Sequence, residues 1–262
     1  MLRALNTAAT GMASQEANVN TISNNIANVN TTGYKKSRTE FEDLLYETVE
    51  EAGSRTSADT KHNVGVQMGS GSKVSATRRI HQQGSPVITQ NPFDLMINGE
   101  GFFGIITPKN EVMYTRDGSF NVNSQGQLVN KSGYKLFPGI SIPPGTLSVK
   151  ITEEGNVDAY IQGQVEPTQV GQVPIFTFTN PVGLKANGGN LLRTTASSGE
   201  PLQQIGGNAN AGVIRQGALE ASNVSIMNEM QDLIKAQRAF ETNSKVMGIA
   251  DQMLNTINNI TR

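Results

Sequence analysis

Apolar residues return at every seventh position at both ends of the chain, and the middle breaks into short runs of β-formers. From 2 to 30 there is no proline and one glycine, Gly11. Leu5, Met12, Val19 and Ile26 recur at a spacing of seven, with Leu2, Ala9, Ile22 and Val29 at flanking helical offsets. This spacing predicts an amphipathic helix of coiled-coil character, roughly 45 Å long at 1.5 Å per residue. It is expected to stop at Asn30-Thr31-Thr32-Gly33, where Gly33 suits a left-handed cap.

The C-terminus repeats the pattern. Ile226, Leu233, Phe240, Met247 and Leu254 fall at intervals of seven, Met230, Ala250 and Ile257 extend that face, and no proline occurs from 202 onward. A second helix of roughly 55 Å is predicted. Asn223 or Ser225 suits its N-cap, Glu229 its first turn, and Glu241 with Lys245 an i,i+4 pair. Two such helices suit either an antiparallel pair on a globular core or packing between subunits. Three features favour the second: a narrow apolar stripe, off-seam positions rich in Asn, Ser, Thr and Gln, and a place at the extreme ends of the chain. On that reading the helices have no partner within the chain and order on assembly.

Between the helices the periodicity changes. Residues 34–75 run from the basic Tyr34-Lys35-Lys36-Ser37-Arg38 through Glu40, Glu42, Asp43, Glu47, Glu50 and Glu51 into a stretch rich in Gly, Ser and Thr. An extended arm is expected there. Residues 76–221 carry β-forming runs at 94–97, 102–107, 112–115, 147–151, 157–161 and 173–179. Asn98-Gly99, Asp117-Gly118, Gln125-Gly126, Glu154-Gly155 and Gln162-Gly163 separate them, and no helical stretch intervenes. Short antiparallel hairpins in a barrel or sandwich follow. The fold class is therefore α+β: a discontinuous helical assembly domain (1–33 and 222–262), an arm (34–75) and a mainly antiparallel β domain (76–221).

Composition narrows the partners. Charged residues are 16% of the 262, against a usual ~25%, so much of the polar surface comes from uncharged side chains that tolerate burial in contacts. The net charge of -1 carries no basic excess of the kind nucleic acid or a membrane surface attracts. With no cysteine, disulfides, Cys-ligated zinc and thiol nucleophiles are excluded, which fits an oxidising compartment or export in an unfolded state. Asn6, Thr7 and Thr10 interrupt any apolar run near the N-terminus, so no cleaved Sec-type signal is expected.

Candidate chemistry is sparse. Gly99-Glu100-Gly101-Phe102-Phe103-Gly104 matches G-x-G-x-x-G, but a strand rather than a helix is expected to follow, so a nucleotide site is not supported. Gly69-Ser70-Gly71-Ser72-Lys73 lacks phosphate-loop spacing. His62 and His81 have no metal-ligand spacing and are expected at the surface. Asp94, Asp117, Glu153, Glu154 and Asp158 each lie beside a turn, where carboxylates serve local hydrogen bonds. Lys73, Arg78 and Arg79 are expected to be solvated or to pair with the acidic 40–51 segment. No catalytic, cofactor-binding or metal residues are assigned.

Five stretches, at both ends and in the middle of the chain, carry a family resemblance. Ser23-Asn24-Asn25-Ile26-Ala27-Asn28-Val29-Asn30-Thr31-Thr32-Gly33-Tyr34-Lys35 resembles the N-terminal signature of flagellar axial proteins, the rod, hook and hook-associated subunits. Ser222-Asn223-Val224-Ser225 and Gln237-Arg238-Ala239-Phe240-Glu241-Thr242-Asn243-Ser244-Lys245 are similar to the C-terminal signature. Residues 91–103 and 114–120 resemble the rod and hook β domain. The length, with no room for an outer hook domain, and the arm at about 46–65 (Glu47, Glu50, Glu51, Ser54, Ser57) resemble the distal-rod member.

The resemblance implies a structural subunit, not an enzyme, that self-assembles into a helical homopolymer. That tube would transmit motor torque to the hook and enclose the export channel; a proximal-rod or short hook-type subunit is the alternative. It implies contact with other rod subunits, the hook protein and the peptidoglycan-associated and outer-membrane ring proteins. It also implies delivery by the type III export apparatus to a basal body spanning the periplasm. It implies neither cofactor nor nucleic acid. The expected assembly interface is Leu5, Met12, Val19, Ile26, Ile226, Leu233, Phe240, Met247 and Leu254.

Overall fold

A computed structural model of the chain describes residues 2–52, 63–164, 166–208 and 211–260. Ser54, Ser57 and His62 lie outside the described residues. The chain forms two compact units: Met1–Ile26, Ser37–Arg78 and Ser225–Arg262 make the first, Ala27–Lys36 and Arg79–Val224 the second.

The first unit holds both terminal helices, α1 (Leu2–Ala27) and α2 (Ile226–Ile260). Between them in sequence come β1 (Ser37–Asp43), β2 (Tyr46–Glu50), β3 (Val66–Gly69) and β4 (Ser72–Arg79). β1 pairs with β4, and β2 with β3, antiparallel, with Glu47 opposite Met68. The segment expected as an arm is thus extended, and its strands pair in two ladders. Across the first, Arg78 meets Glu40 at 2.9 Å and Lys73 meets Glu42 at 3.4 Å, so the basic cluster does pair with the acidic run. The Ser14 hydroxyl donates to the Ser72 carbonyl at 3.2 Å, and the Thr39 hydroxyl to that of Thr21 at 3.0 Å, which seats α1 on β4 and β1.

The strand pairs of the second unit are antiparallel among the described residues. Its strands are β5 (Pro86–Ile88), β6 (Leu95–Asn98), β7 (Phe102–Ile106), β8 (Val112–Thr115), β9 (Asn121–Val122), β10 (Leu128–Val129), β11 (Lys135–Leu136) and β12 (Thr146–Ile151). There follow β13 (Asn156–Ile161), β14 (Thr168–Gln172), β15 (Ile175–Thr177), β16 (Lys185–Gly188), β17 (Leu191–Arg193), β18 (Leu202–Gln204), β19 (Val213–Gln216) and β20 (Ala218–Glu220). β7 is central to the largest sheet: β8 lies on one side, β11 and β15 on the other. β12, β13 and β14 form a second sheet, while β6 pairs with β19 and β5 with β20. The late strands β19 and β20 therefore close ladders opened more than a hundred residues earlier.

The core gathers where these ladders face one another. Phe103, Ile105, Leu136, Val157 and Ile175 are completely buried, each contributing roughly 1.5–3 kcal/mol relative to exposure. Phe103 and Phe120 meet edge-to-face at 5.4 Å. Phe102–Ile106 is strand, so the glycines of the G-x-G-x-x-G string belong to a strand entry. Gly118, in a predicted turn, is needed for space: a Cβ there would lie 1.6 Å from the Leu95 carbonyl oxygen.

Candidate functional site: the terminal helices and a buried ion cluster

α1 and α2 meet within the chain. Asn25 Nδ2 donates to Glu229 Oε2 at 3.0 Å. Gly11, fourteen positions earlier, faces Asn243, fourteen positions later, so closely that a Cβ would stand 2.8 Å from its amide nitrogen. The two contacts share one antiparallel register. This overturns the expectation that neither helix has a partner in the chain. Small residues permit the approach: Ala8, Ala236 and Ala250 are buried with Ser14 and Ile22. Asn25 also clamps the backbone of Ser37, accepting from its N–H at 2.9 Å and donating to its carbonyl at 2.8 Å.

The covered row of α2 follows the heptad. Glu229, Ala236 and Ala250 are buried, and Leu233, Asn243, Met247 and Leu254 half-buried. Of the nine residues expected at an assembly interface, Leu5, Met12, Val19 and Ile26 on α1 and Leu233, Met247 and Leu254 on α2 are half-buried, while Ile226 and Phe240 are exposed. Met230 and Ile257, expected on the same face, are exposed. They belong to two apolar flanks beside the covered row, Met227, Met230 and Ile234 in the first half of α2 and Val246, Ile249, Met253 and Ile257 in the second, each 43–68% exposed. Ile234 is the most open but one of these, at 55%.

Local signals at the helix ends resolve differently. α1 ends at Ala27, six residues before Gly33. Asn223 does not cap α2: it accepts from Lys36 N–H at 2.8 Å and donates to the Ile80 and Gln82 carbonyls at 2.9 and 3.1 Å. Glu241 pairs with Arg238 at 3.0 Å, one turn back, rather than with Lys245.

In the second unit the residues around both signatures converge on one buried carboxylate. Glu220, 2% exposed, ends β20. Its Oε2 accepts from Arg116 Nε at 2.6 Å, and its Oε1 from Lys35 Nζ and from Gly84 N–H, the latter at 2.9 Å. Arg116 turns three further donors on the carbonyls of Ile97, Gly99 and Gly101, and Lys35 also donates to the Gln82 carbonyl at 2.7 Å. Burial pushes the Glu220 carboxyl up, but Arg116, Lys35 and the Gly84 N–H together outweigh it and hold the group below the usual carboxylate range.

Gly33 completes the junction. Its φ of +67° is left-handed as expected. It serves an abutment, not a helix cap: its N–H donates to the Glu220 carbonyl at 2.8 Å, and a Cβ would stand 2.6 Å from Asp117 N. Thr32 beside it donates to Asp117 Oδ1 at 2.9 Å, which in turn accepts from Ser119 N–H at 3.1 Å. The sequence carries a signal for this cluster: Glu220 is the one charge in the run Ala218-Leu219-Glu220-Ala221, just before the 222–225 motif, and its two cations lie in the motifs at 23–35 and 114–120.

His81 is half-buried, not at the surface as expected, because its ring packs edge-on against Phe102 at 5.6 Å. Its Nδ1 is buried without a hydrogen-bond partner. Burial, then the charges of Arg79, Lys35 and Arg116, push its pKa down to about 4. The folded chain therefore keeps the ring neutral where an unfolded histidine, near 6.5, takes up a proton. Its contribution is complete above pH 6.5 and declines as pH falls towards 4. Between pH 6.5 and 5 the second unit is expected to lose about 2 kcal/mol from this group. Denaturant titrations of the wild type and His81→Leu at pH 7 and 5 check it: the variant should lack that slope, and an equal slope in both would remove His81 as its source.

Three family models match the chain. "Flagella basal body rod protein" covers residues 5–35, "Flagellar hook protein FlgE/F/G D1 domain" 96–159, and "Flagellar basal body rod FlgEFG protein C-terminal" 215–260. The flagellar basal-body rod protein FlgG of Borreliella burgdorferi is 47% identical over 100% of both chains, and that of Caulobacter vibrioides 47% identical over 97% of each. FlgG of Buchnera aphidicola from Schizaphis graminum is 42% identical over 96% of each chain.

Proposed function

The chain belongs to the flagellar basal-body rod family, in its FlgG branch, and from that premise we propose that it polymerises into a rigid helical tube carrying motor torque to the hook. It is a structural subunit of the flagellar distal rod. One structural observation supports polymerisation most directly. After α1 covers one row of α2, both neighbouring flanks stay apolar and exposed, with Met227 at 68%, Ile234 at 55% and Ile249 at 51%. Two different flanks on one helix meet two different neighbours, and heterologous contacts that do not close a ring generate a helical assembly.

The interface is the pair of terminal helices. Ile226 and Phe240 belong to its open surface, while Leu5, Met12, Val19, Ile26, Leu233, Met247 and Leu254 set the helix pair that presents it. The tube encloses an export channel and crosses the periplasm within the peptidoglycan-associated and outer-membrane rings, reached through the type III apparatus. The role is mechanical, not catalytic. Electron microscopy of basal bodies from cells lacking the chain tests the assignment. A rod that ends short, with no hook, is expected. A complete rod with its rings but no hook would make the chain a hook-type subunit, and intact flagella would overturn the rod role altogether.

A further inference from the structure

Charge burial in the second unit links two segments far apart in the chain. Lys35 lies 185 residues from Glu220, and Arg116 lies 104 residues from it. All three side chains are enclosed: Lys35 at 5%, Arg116 at 7% and Glu220 at 1% exposure. Two cations thus share one carboxylate in a nearly closed site.

The three charges do not contribute symmetrically. Arg116 has donors enough to be held by the Ile97, Gly99 and Gly101 carbonyls even without a counter-ion. Strand β20 can then dock with Glu220 against Arg116 as a neutral pair. Lys35 docking before Glu220 arrives would instead place a second buried cation beside Arg116 with nothing to balance either. Leaving a buried charge uncompensated costs several kcal/mol. The 31–36 segment is therefore held off until β20 is in place, although it stands nearly two hundred residues earlier in the chain.

We infer that Glu220 is a closure lock, whose one carboxylate makes docking of the N-terminal 31–36 segment conditional on arrival of the C-terminal strand β20. Its use rests on the proposed delivery of the subunit through the type III apparatus. A chain still threading a channel cannot complete its second unit until residue 220 has emerged. The signature residues Thr32, Gly33 and Lys35 stay undocked until then.

Hydrogen exchange on the full-length chain in solution tests the lock without any polymer or flagellum. A failed rod assignment therefore leaves this result untouched, and the reverse holds too. Gly33 is the reporter: its N–H bonds the main-chain carbonyl of residue 220, which Glu220→Gln preserves. In Glu220→Gln the Gly33 amide should exchange faster on the order of ten- to a hundredfold, with the β7–β8 amides of Ile105 and Met113 unchanged. Adding Lys35→Met, which removes the second cation, should restore protection of Gly33. If Glu220→Gln instead opens the whole unit, the double variant decides, because the lock requires Lys35→Met to bring back protection at Ile105 and Met113. Gly33 protected in Glu220→Gln, or a double variant no better than the single, would overturn the lock.

Discussion

Ile234→Asp is expected to abolish polymerisation while leaving the monomer intact, and Leu233→Asp, one residue away, to loosen the monomer itself. The two side chains stand about 100° apart on α2. Leu233 is half-buried in the row that α1 covers, at the level of Thr21 in the register fixed by Asn25–Glu229 and Gly11–Asn243. Ile234 is 55% exposed in the isolated chain. An aspartate there meets water in the monomer, so stability should change by no more than about 0.5 kcal/mol. In the tube it would carry a carboxylate into an apolar contact, at a cost of about 3 kcal/mol or more. That corresponds to at least about a hundredfold rise in the concentration needed to polymerise. Sedimentation of polymer from purified chain, with circular dichroism on the supernatant, reads both effects. Normal polymer from Ile234→Asp would remove the exposed flank from the interface.

The contrast between residues 233 and 234 marks what the sequence made legible. A seven-residue repeat locates a helix and one of its faces, and both helices are where the repeat places them. It does not say who covers that face. The choice between an intrachain and an intersubunit seam turned on small residues, Gly11 and the alanines at 8, 236 and 250. These look unremarkable in a polar helix and matter only once two helices lie within contact distance. The β region was legible for a different reason. Its strands are bounded by local turn dipeptides, so 102–106, 112–115 and 157–161 could be placed from neighbours in the chain alone.

Long-range polar contacts escaped for the complementary reason. Asn223 has the sequence context of a helix cap, yet its amide is taken by Lys36, Ile80 and Gln82, partners up to 187 residues away. Lys35 looked like part of a basic surface run, and its burial depends on a carboxylate 185 residues downstream. The family signatures mark these positions without disclosing the reason. Physically, Thr32, Gly33 and Lys35 are the residues that fit a left-handed abutment against Arg116–Asp117 beside a buried acid. The candidate site was thus readable as a motif and unreadable as a geometry.

Arg116→Leu tests that geometry at its most connected point. The guanidinium fork serves Glu220 and three backbone carbonyls at once, at 7% exposure. Leucine removes all four bonds and fills only part of the space. Lys35 still balances Glu220, so no charge is stranded; the loss is of satisfied acceptors, each buried carbonyl costing about 1–3 kcal/mol without a partner. The second unit should lose about 4 kcal/mol or more, a large fraction of the stability of an ordinary domain. Arg116→Lys keeps the charge but has three donors on one nitrogen, which cannot span the 97–101 loop and the carboxylate together. It should therefore recover less than half of the loss. Guanidinium denaturation followed by the exchange of β7–β8 amides measures the two variants on the same unit. A lysine variant as stable as wild type would mean that charge alone holds the cluster, and that the three carbonyls find solvent when the fork is removed.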